Sequence, residues 1–335
     1  MHTNYSNLIS IENLFQAWNE FRKGKLKRLD VQEFERNLED NLFELQHGLK
    51  DKAYRHGNYQ SFYVQDPKQR HIHKASVSDR VVHHLLYIFL YKLFDNNFIY
   101  DSYSCRLNKG THKGVKRLEQ FTRKVSRNYT GSCWALKCDI KKFFASVDHE
   151  ALLTLLKEKI KDSNIIWLLE QIIYSFHSDK GEGKGMPLGN LTSQVFANIY
   201  LNELDQFVKH KLKAKYYMRY ADDFVFLLSN RNEFHQYTSI LVNFLKDNLK
   251  LELHPKKIIL RKLEWGIDFL GYIVLPYYIL PRTKTRKRIF KKIKEKISSE
   301  NFNQSLQSYL GYLKHSSSYK LTESLKNQVW FWLEN

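Results

Sequence analysis

Cysteine is scarce: Cys105, Cys133 and Cys138 are the only three in 335 residues. Three cysteines make no disulfide framework, and none stands with histidine at a spacing that resembles a zinc site. His71/His73 and His83-His84 read as structural or surface histidines rather than ligands. Proline is also rare, at five, and no segment rich in Gly, Ser or Pro separates blocks of the chain. Nothing repeats at a fixed period, so any domains are expected to pack closely together. Acid is in deficit: 35 Asp and Glu face 54 Lys and Arg, for a net charge of +19. That imbalance points to a polyanionic partner. An anionic membrane is the rival, but the chain has no stretch of about 18 apolar residues. The N-terminus, MHTNYSNLISIENLF, lacks a secretory layout. A soluble, cytoplasmic protein is expected.

What is present is the composition of a folded chain, 43% hydrophobic, 27% charged and 15% aromatic. Its length allows two domains, or one large core with appended parts. Residues 11–50 carry helical periodicity at Ile11, Leu14, Phe15 and Trp18, then at Val31, Phe34, Leu38, Leu42 and Leu45. The basic run RKGKLKR (22–28) separates these two expected helices. Residues 59–94 read as short strands broken by Asp66-Pro67, then a helix from Ser78 with Asp79 in its first turn. Loop, then helix, describes 102–121. Residues 132–156 give a strand ending at Asp139, a tight connection and a helix. A Gly-rich loop and helix fill 183–210, another helix 234–250, a turn and strand 251–260, and a hairpin 266–275. Strands and helices interleave without βαβ repetition, which predicts an α+β fold. PRTKTRKRIFKKIKEKISSE (281–300) has nine Lys or Arg against two Glu. Ile289, Ile293 and Ile297 recur every four residues, so one side of this expected helix packs while the others can meet phosphate.

YMRYADDFVFL (217–227) places Asp222 and Asp223 between two strand-like runs, with no Gly or Asn-Gly to mark a turn. A polar hairpin turn is the bland alternative, as a helix cap is for Asp139. Taken together the three carboxylates suggest more. Two divalent ions about 3.5–4 Å apart need several clamping carboxylates to complete their oxygen shells. Asp139 and the Asp pair can supply them if their strands are neighbours.

Seven stretches resemble, in order, the blocks of reverse transcriptases: DPKQRHIH, SDRVVHH, DSYSCRLNKGTH, KCDIKKFFASVDH, GMPLGNLTSQVFANIYLNELDQFVKH, RYADDFVFL and GIDFLGY. The likeness is strongest to enzymes of diversity-generating retroelements, relatives of group II intron and retron reverse transcriptases. It implies a right-hand polymerase with fingers, palm and a small helical thumb. On that pattern residues 1–58 are an N-terminal helical extension, and 59–131 are fingers and the start of the palm. Residues 132–275 are palm, with a fingers insertion near 160–187, and 276–335 are thumb. The implied activity is RNA-directed DNA synthesis with two Mg²⁺ ions, for which Mn²⁺ can substitute. Asp139, Asp222 and Asp223 match the metal-binding positions, with the Ile140 carbonyl nearby. Phe144 matches the ring beneath the sugar that excludes a 2′-hydroxyl. Lys68, Arg70, Leu188, Gly189, Gln194 and Lys257 match nucleotide contacts, although Lys256 competes with Lys257. Phe269, Leu270, Gly271 and Tyr272 match the hairpin that grips the primer. Arg106, Lys109, Arg286, Lys287, Arg288, Lys291 and Lys292 are expected to meet nucleic acid.

Leu188 stands where many reverse transcriptases have Gln before the glycine, a loss shared with diversity-generating enzymes, whose copying is error-prone at template adenines. Ala221 departs from the Met common in that subtype and agrees with intron-type enzymes. The stretch after FLGY is expected to be room for a thumb and not for a maturase region with an endonuclease. Implied partners are a structured template RNA, the RNA–DNA hybrid, dNTPs and a small basic oligomeric accessory protein, in a bacterial or phage-encoded system. A retron-like or antiviral reverse transcriptase, or a non-catalytic RNA-binding scaffold, are the alternatives.

Overall fold

The computed structural model describes residues 4–65 and 68–334, so the Asp66-Pro67 break lies outside the described residues. The chain divides into two compact units. One comprises Met1–Tyr100, Ile140–Leu212 and Ile240–Leu253, the other Asp101–Asp139, Lys213–Ser239 and His254–Asn335.

The first unit is mainly helical. Helices Ile11–Arg22 and Val77–Phe94 face each other through Leu14, Trp18 and Phe21 and through Val81, Leu85 and Leu86, all buried. Where the periodicity predicts one helix after the basic run, the chain forms two, Leu29–Arg36 and Leu38–Lys50. The break falls at Asn37, whose φ of −121° and ψ of 45° are not helical. The long helix starts one residue before the expected Ser78, because the Ser76 side chain accepts from Asp79 N and caps it. Strands β1 (Gln60–Val64) and β2 (Arg70–Lys74) form an exposed antiparallel ribbon. Helices His149–Lys159, Ser163–Ile173 and Leu191–Gln206, with the C-terminal part of Glu233–Leu249, also belong to this unit, and Leu191–Gln206 packs on Val77–Phe94.

The second unit holds two sheets. Strands β3 (Trp134–Asp139), β4 (Tyr217–Tyr220), β5 (Asp223–Leu228) and β6 (Ile259–Lys262) form an antiparallel sheet in the order β4-β5-β3-β6. The central strand β5 is buried along almost its whole length, as its unbroken Phe-Val-Phe-Leu-Leu run requires. A smaller sheet contains β7 (Ile267–Phe269), β8 (Tyr272–Leu275) and β9 (Tyr278–Pro281). The sequence predicts a two-stranded hairpin here and misses β9. Its turn is Pro276-Tyr277, with Tyr277 at φ +70°, so the left-handed position carries a tyrosine where a Gly would have signalled it. The expected basic helix is accordingly shorter, Thr283–Glu295. With Phe302–Lys314 and Tyr319–Glu334 it builds a separate small core from Ile289, Ile293, Phe302, Leu313, Leu325 and Val329. No described helix is long and apolar enough to cross a membrane.

Candidate active site

The register of the larger sheet brings the three carboxylates of the sequence together. Strands β3 and β5 run antiparallel with Asp139 opposite Asp223. Tyr220 pairs with Asp223 across the β4–β5 hairpin, leaving a two-residue connection of Ala221 and Asp222. Ala221 has φ +52°, a conformation hairpin turns usually give to Gly. Arg219 supplies the compensation: its fully buried side chain donates from Nη1 to the Ala221 carbonyl at 3.1 Å. This is a positioning residue the sequence reading missed. A charged residue between Met218 and Tyr220 in an otherwise apolar strand was the available signal.

Charge at this strand end is poorly balanced. Burial first, then the neighbouring Asp139 charge, push the Asp222 carboxyl up to about 6. Burial also raises Asp223, against the pull of Lys137, whose Nζ lies 3.8 Å from Asp223 Oδ1. Lys257 Nζ stands 2.7 Å from Asp139 Oδ1. The backbone N–H of His254 donates to the Asp139 carbonyl at 2.8 Å and ties β3 to the turn carrying Lys257. Among the described residues, no three Asp, Glu, His or Cys side chains already surround one point as an ion's shell would. The donor set nevertheless fits hard divalent cations. It offers oxygen only, and two of its members are held above their ordinary pKa by burial and by charge that a dication relieves. The Lys257 ammonium supplies part of that positive charge.

The first unit gathers a second set. The Leu188 carbonyl accepts from His73 N at 2.9 Å, and Asn190 Nδ2 donates to the His73 carbonyl at 3.0 Å. The loop before helix Leu191–Gln206 is thereby fastened to the strand that begins at Arg70. Gly189 between them has φ +111°, and a Cβ there would meet Ile72 Cγ2 at 2.8 Å, so only glycine fits. Met186 N donates to the Phe144 carbonyl at 2.7 Å, so Phe144 belongs to the same assembly. Phe143 is buried while Phe144 is half-buried. Lys68, Arg70, Gly189 and Gln194 are exposed, and Leu188 is half-buried. Ile140 is buried and bridges to Leu253.

Of the hairpin 269–272, Phe269 and Tyr272 are fully buried, and Tyr272 Oη donates to the Tyr312 carbonyl at 2.9 Å. The turn between them is half-buried: Leu270 and Gly271 have φ +50° and +92°, and Tyr312 Oη donates to the Gly271 carbonyl at 2.7 Å. Arg106 and Lys109 are half-buried, the latter 5.2 Å from the Tyr103 ring centre. Arg286, Lys287 and Lys291 are exposed; Arg288 and Lys292 are half-buried, and Glu295 lies within 3.8 Å of Lys291 and 3.7 Å of Lys292. Cys133 and Cys138 are buried free thiols pushed up to about 12 by burial.

An antiparallel sheet with facing carboxylates on adjacent strand ends, in a mixed α/β chain, defines the class of right-hand polymerases, and solved structures agree. The apo telomerase from Candida Tropicalis superposes with a TM-score of 0.54 at 12% identity, covering 84% of this chain and 58% of that one. The sequence profile described as "Reverse transcriptase (RNA-dependent DNA polymerase)" matches residues 64–274, and the chain belongs to that family. Two curated relatives are intron proteins. The putative COX1/OXI3 intron 2 protein of Saccharomyces cerevisiae is 23% identical over 275 residues, 64% of this chain and 31% of that protein. The group II intron-encoded protein LtrA of Lactococcus lactis subsp. cremoris is 23% identical over 303 residues, 70% of this chain and 49% of LtrA. The chain thus spans between about a third and a half of the length of these two relatives.

Proposed function

We propose that this protein is an RNA-directed DNA polymerase that makes complementary DNA from a structured template RNA. The observation that carries the reading is the register that sets Asp139 opposite Asp223 with Asp222 in the adjoining turn. In this reading residues 59–131 contribute fingers, 132–275 the palm and 276–335 the thumb, following the N-terminal helical extension. Asp139, Asp222 and Asp223, with the Ile140 carbonyl, would hold two Mg²⁺ or Mn²⁺ ions. Such ions, when bound, lower the pKa of an attacking 3′-hydroxyl and stabilise charge on the transferred phosphoryl group. In this reading Lys257, paired with Asp139, neutralises the departing pyrophosphate. The Phe144 ring blocks a 2′-hydroxyl, while Lys68, Arg70, Gly189 and Gln194 contact the incoming nucleotide. Backbone at Leu270 and Gly271, rather than the buried rings of Phe269 and Tyr272, grips the primer. One solved telomerase of similar fold was captured with a TWJ fragment of telomeric RNA, in keeping with an RNA partner here. Primer extension on primed RNA with dNTPs and Mg²⁺ tests the assignment. Wild type should extend and Asp222→Asn should not; full extension by that variant refutes the site.

The diversity-generating subtype rests on Leu188, where a polar contact to the nucleotide is lost. One hydrogen bond is worth about 1 kcal/mol, so its absence relaxes selectivity measurably. Errors should concentrate opposite template adenines, and Leu188→Gln should lower them more than it lowers synthesis. A flat, low error spectrum removes the subtype, and with it the small basic accessory protein. Ala221 and the intron-encoded relatives favour a second reading, an intron-type enzyme without adenine bias. The same sequencing of products separates the two.

A further inference from the structure

We propose that a pocket at the far end of the larger sheet is a second RNA site, which takes one unpaired nucleotide of the template RNA. The inference rests on the RNA-binding reading above but concerns residues outside the catalytic set. The pocket has a volume of about 370 Å³, and its floor is the end of β5 and the residues after it, Phe226 to Ser229. Asp223 opens β5 and Leu228 closes it, so the floor lies up to roughly 17 Å from the carboxylates at ~3.3 Å per residue.

Its walls are aromatic and its rim is cationic. Tyr216 and Tyr237 line it, each in contact with another ring. The Tyr216 ring meets Phe121 edge-on at 5.4 Å, and the Tyr237 ring rests 5.3 Å from Phe226. Burial and the nearby Glu233 raise the Tyr237 phenol, which keeps its proton and remains a donor. Lys124, Arg127 and Lys215, all exposed, line the pocket with one acid, Glu233, and Lys215 Nζ stands over the Tyr216 ring, 5.6 Å from its centre, where a stacking base would displace it towards the phosphates. Arg127 is delivered by a strained turn. It and the next two residues, Asn128 and Tyr129, have φ of 51°, 57° and 68°, three successive left-handed residues with no glycine. Such backbone persists only where neighbouring bonds over-determine it. Here Asn128 N donates to the Arg123 carbonyl at 2.8 Å, Tyr129 N to Ser126 Oγ at 2.9 Å, and Gly131 N to the Ser126 carbonyl at 2.8 Å. A pocket of nucleoside size lined by two tyrosines and three cations matches a base stacked on a ring and phosphates on either side. A free mononucleotide shares that chemistry. Three exposed cations favour a strand, which brings more than one phosphate, over a single nucleotide.

The test replaces Lys124, Arg127 and Lys215 together by Gln in the full chain and titrates single-stranded RNA of about 20 nucleotides against salt. Loss of three phosphate contacts should flatten the slope of log K against log salt by about 2 and weaken binding about tenfold or more at 100 mM salt. Extension of a short primed duplex should stay within about twofold of wild type. Cross-linking of 4-thiouridine RNA should reach the peptides containing Tyr216 and Tyr237, and a circular dichroism melt confirms that the variant is folded. An unchanged salt slope overturns the site while leaving the polymerase reading intact. Binding of a mononucleotide with no gain from the longer strand also overturns it. A wild type that extends no primer and binds no RNA overturns both readings.

Discussion

Replacing Asp222 by Asn should stabilise the metal-free protein while it abolishes nucleotide incorporation. Asp222 is pushed from an ordinary value of 3.8 up to about 6, chiefly by burial and then by Asp139. Between those two pH values the folded chain holds a proton the unfolded chain has released. Stability therefore falls as pH rises through that window, and the full penalty is present above about pH 6. At 1.36 kcal/mol per pH unit the difference is roughly 3 kcal/mol, and solvent reaching this half-buried group reduces it to about 1–3 kcal/mol. Asparagine has nearly the same shape and no charge, so it removes the penalty. Melting followed by circular dichroism in EDTA at pH 7.5 should show a Tm rise of ~1–2 °C for each kcal/mol recovered. The gain should shrink as pH is lowered towards 4, where wild-type Asp222 is already protonated. In wild type, added Mg²⁺ should raise Tm by relieving the same repulsion, and this increment should be smaller in the variant. A variant less stable than wild type at pH 7.5, or a gain independent of pH, would refute the electrostatic account.

Phe144→Ala should raise ribonucleotide incorporation relative to deoxynucleotide incorporation, read as the rNTP:dNTP ratio in single-nucleotide extension; an unchanged ratio makes Phe144 a packing residue alone. Gly189→Ala should destabilise the protein by about 1–3 kcal/mol and raise the apparent KM for dNTPs. Gly181→Ala is the control, since Gly181 shares the φ of +111° but has open space around it. Equal effects of the two substitutions would dismiss the Ile72 contact. Neutralising Lys287, Lys291 and Lys292 should flatten the salt dependence of RNA–DNA hybrid binding by 2–3 in slope. An unchanged slope would leave those side chains facing solvent.

Composition and local pattern determined a good deal by themselves. The excess of Lys and Arg, the Ile289/Ile293 stripe and the strand ending at Asp139 follow from charge and periodicity that any window of the chain displays. The two short strands around Asp222 were legible for the same reason. Signals failed where a turn used an unexpected residue. Tyr277 at φ +70° hid β9, and Asn37 split a helix whose apolar spacing runs on. Only the tertiary structure decided the rest. Pairing of Asp139 with Asp223, across 84 positions of chain by their numbers, depends on the register of two strands and leaves no mark in either. Arg219 is a surface-type residue in the sequence, and becomes the buried support of Ala221 because the sheet closes over it. A motif fixes which residue types are present, but burial and register decide which atom faces the chemistry.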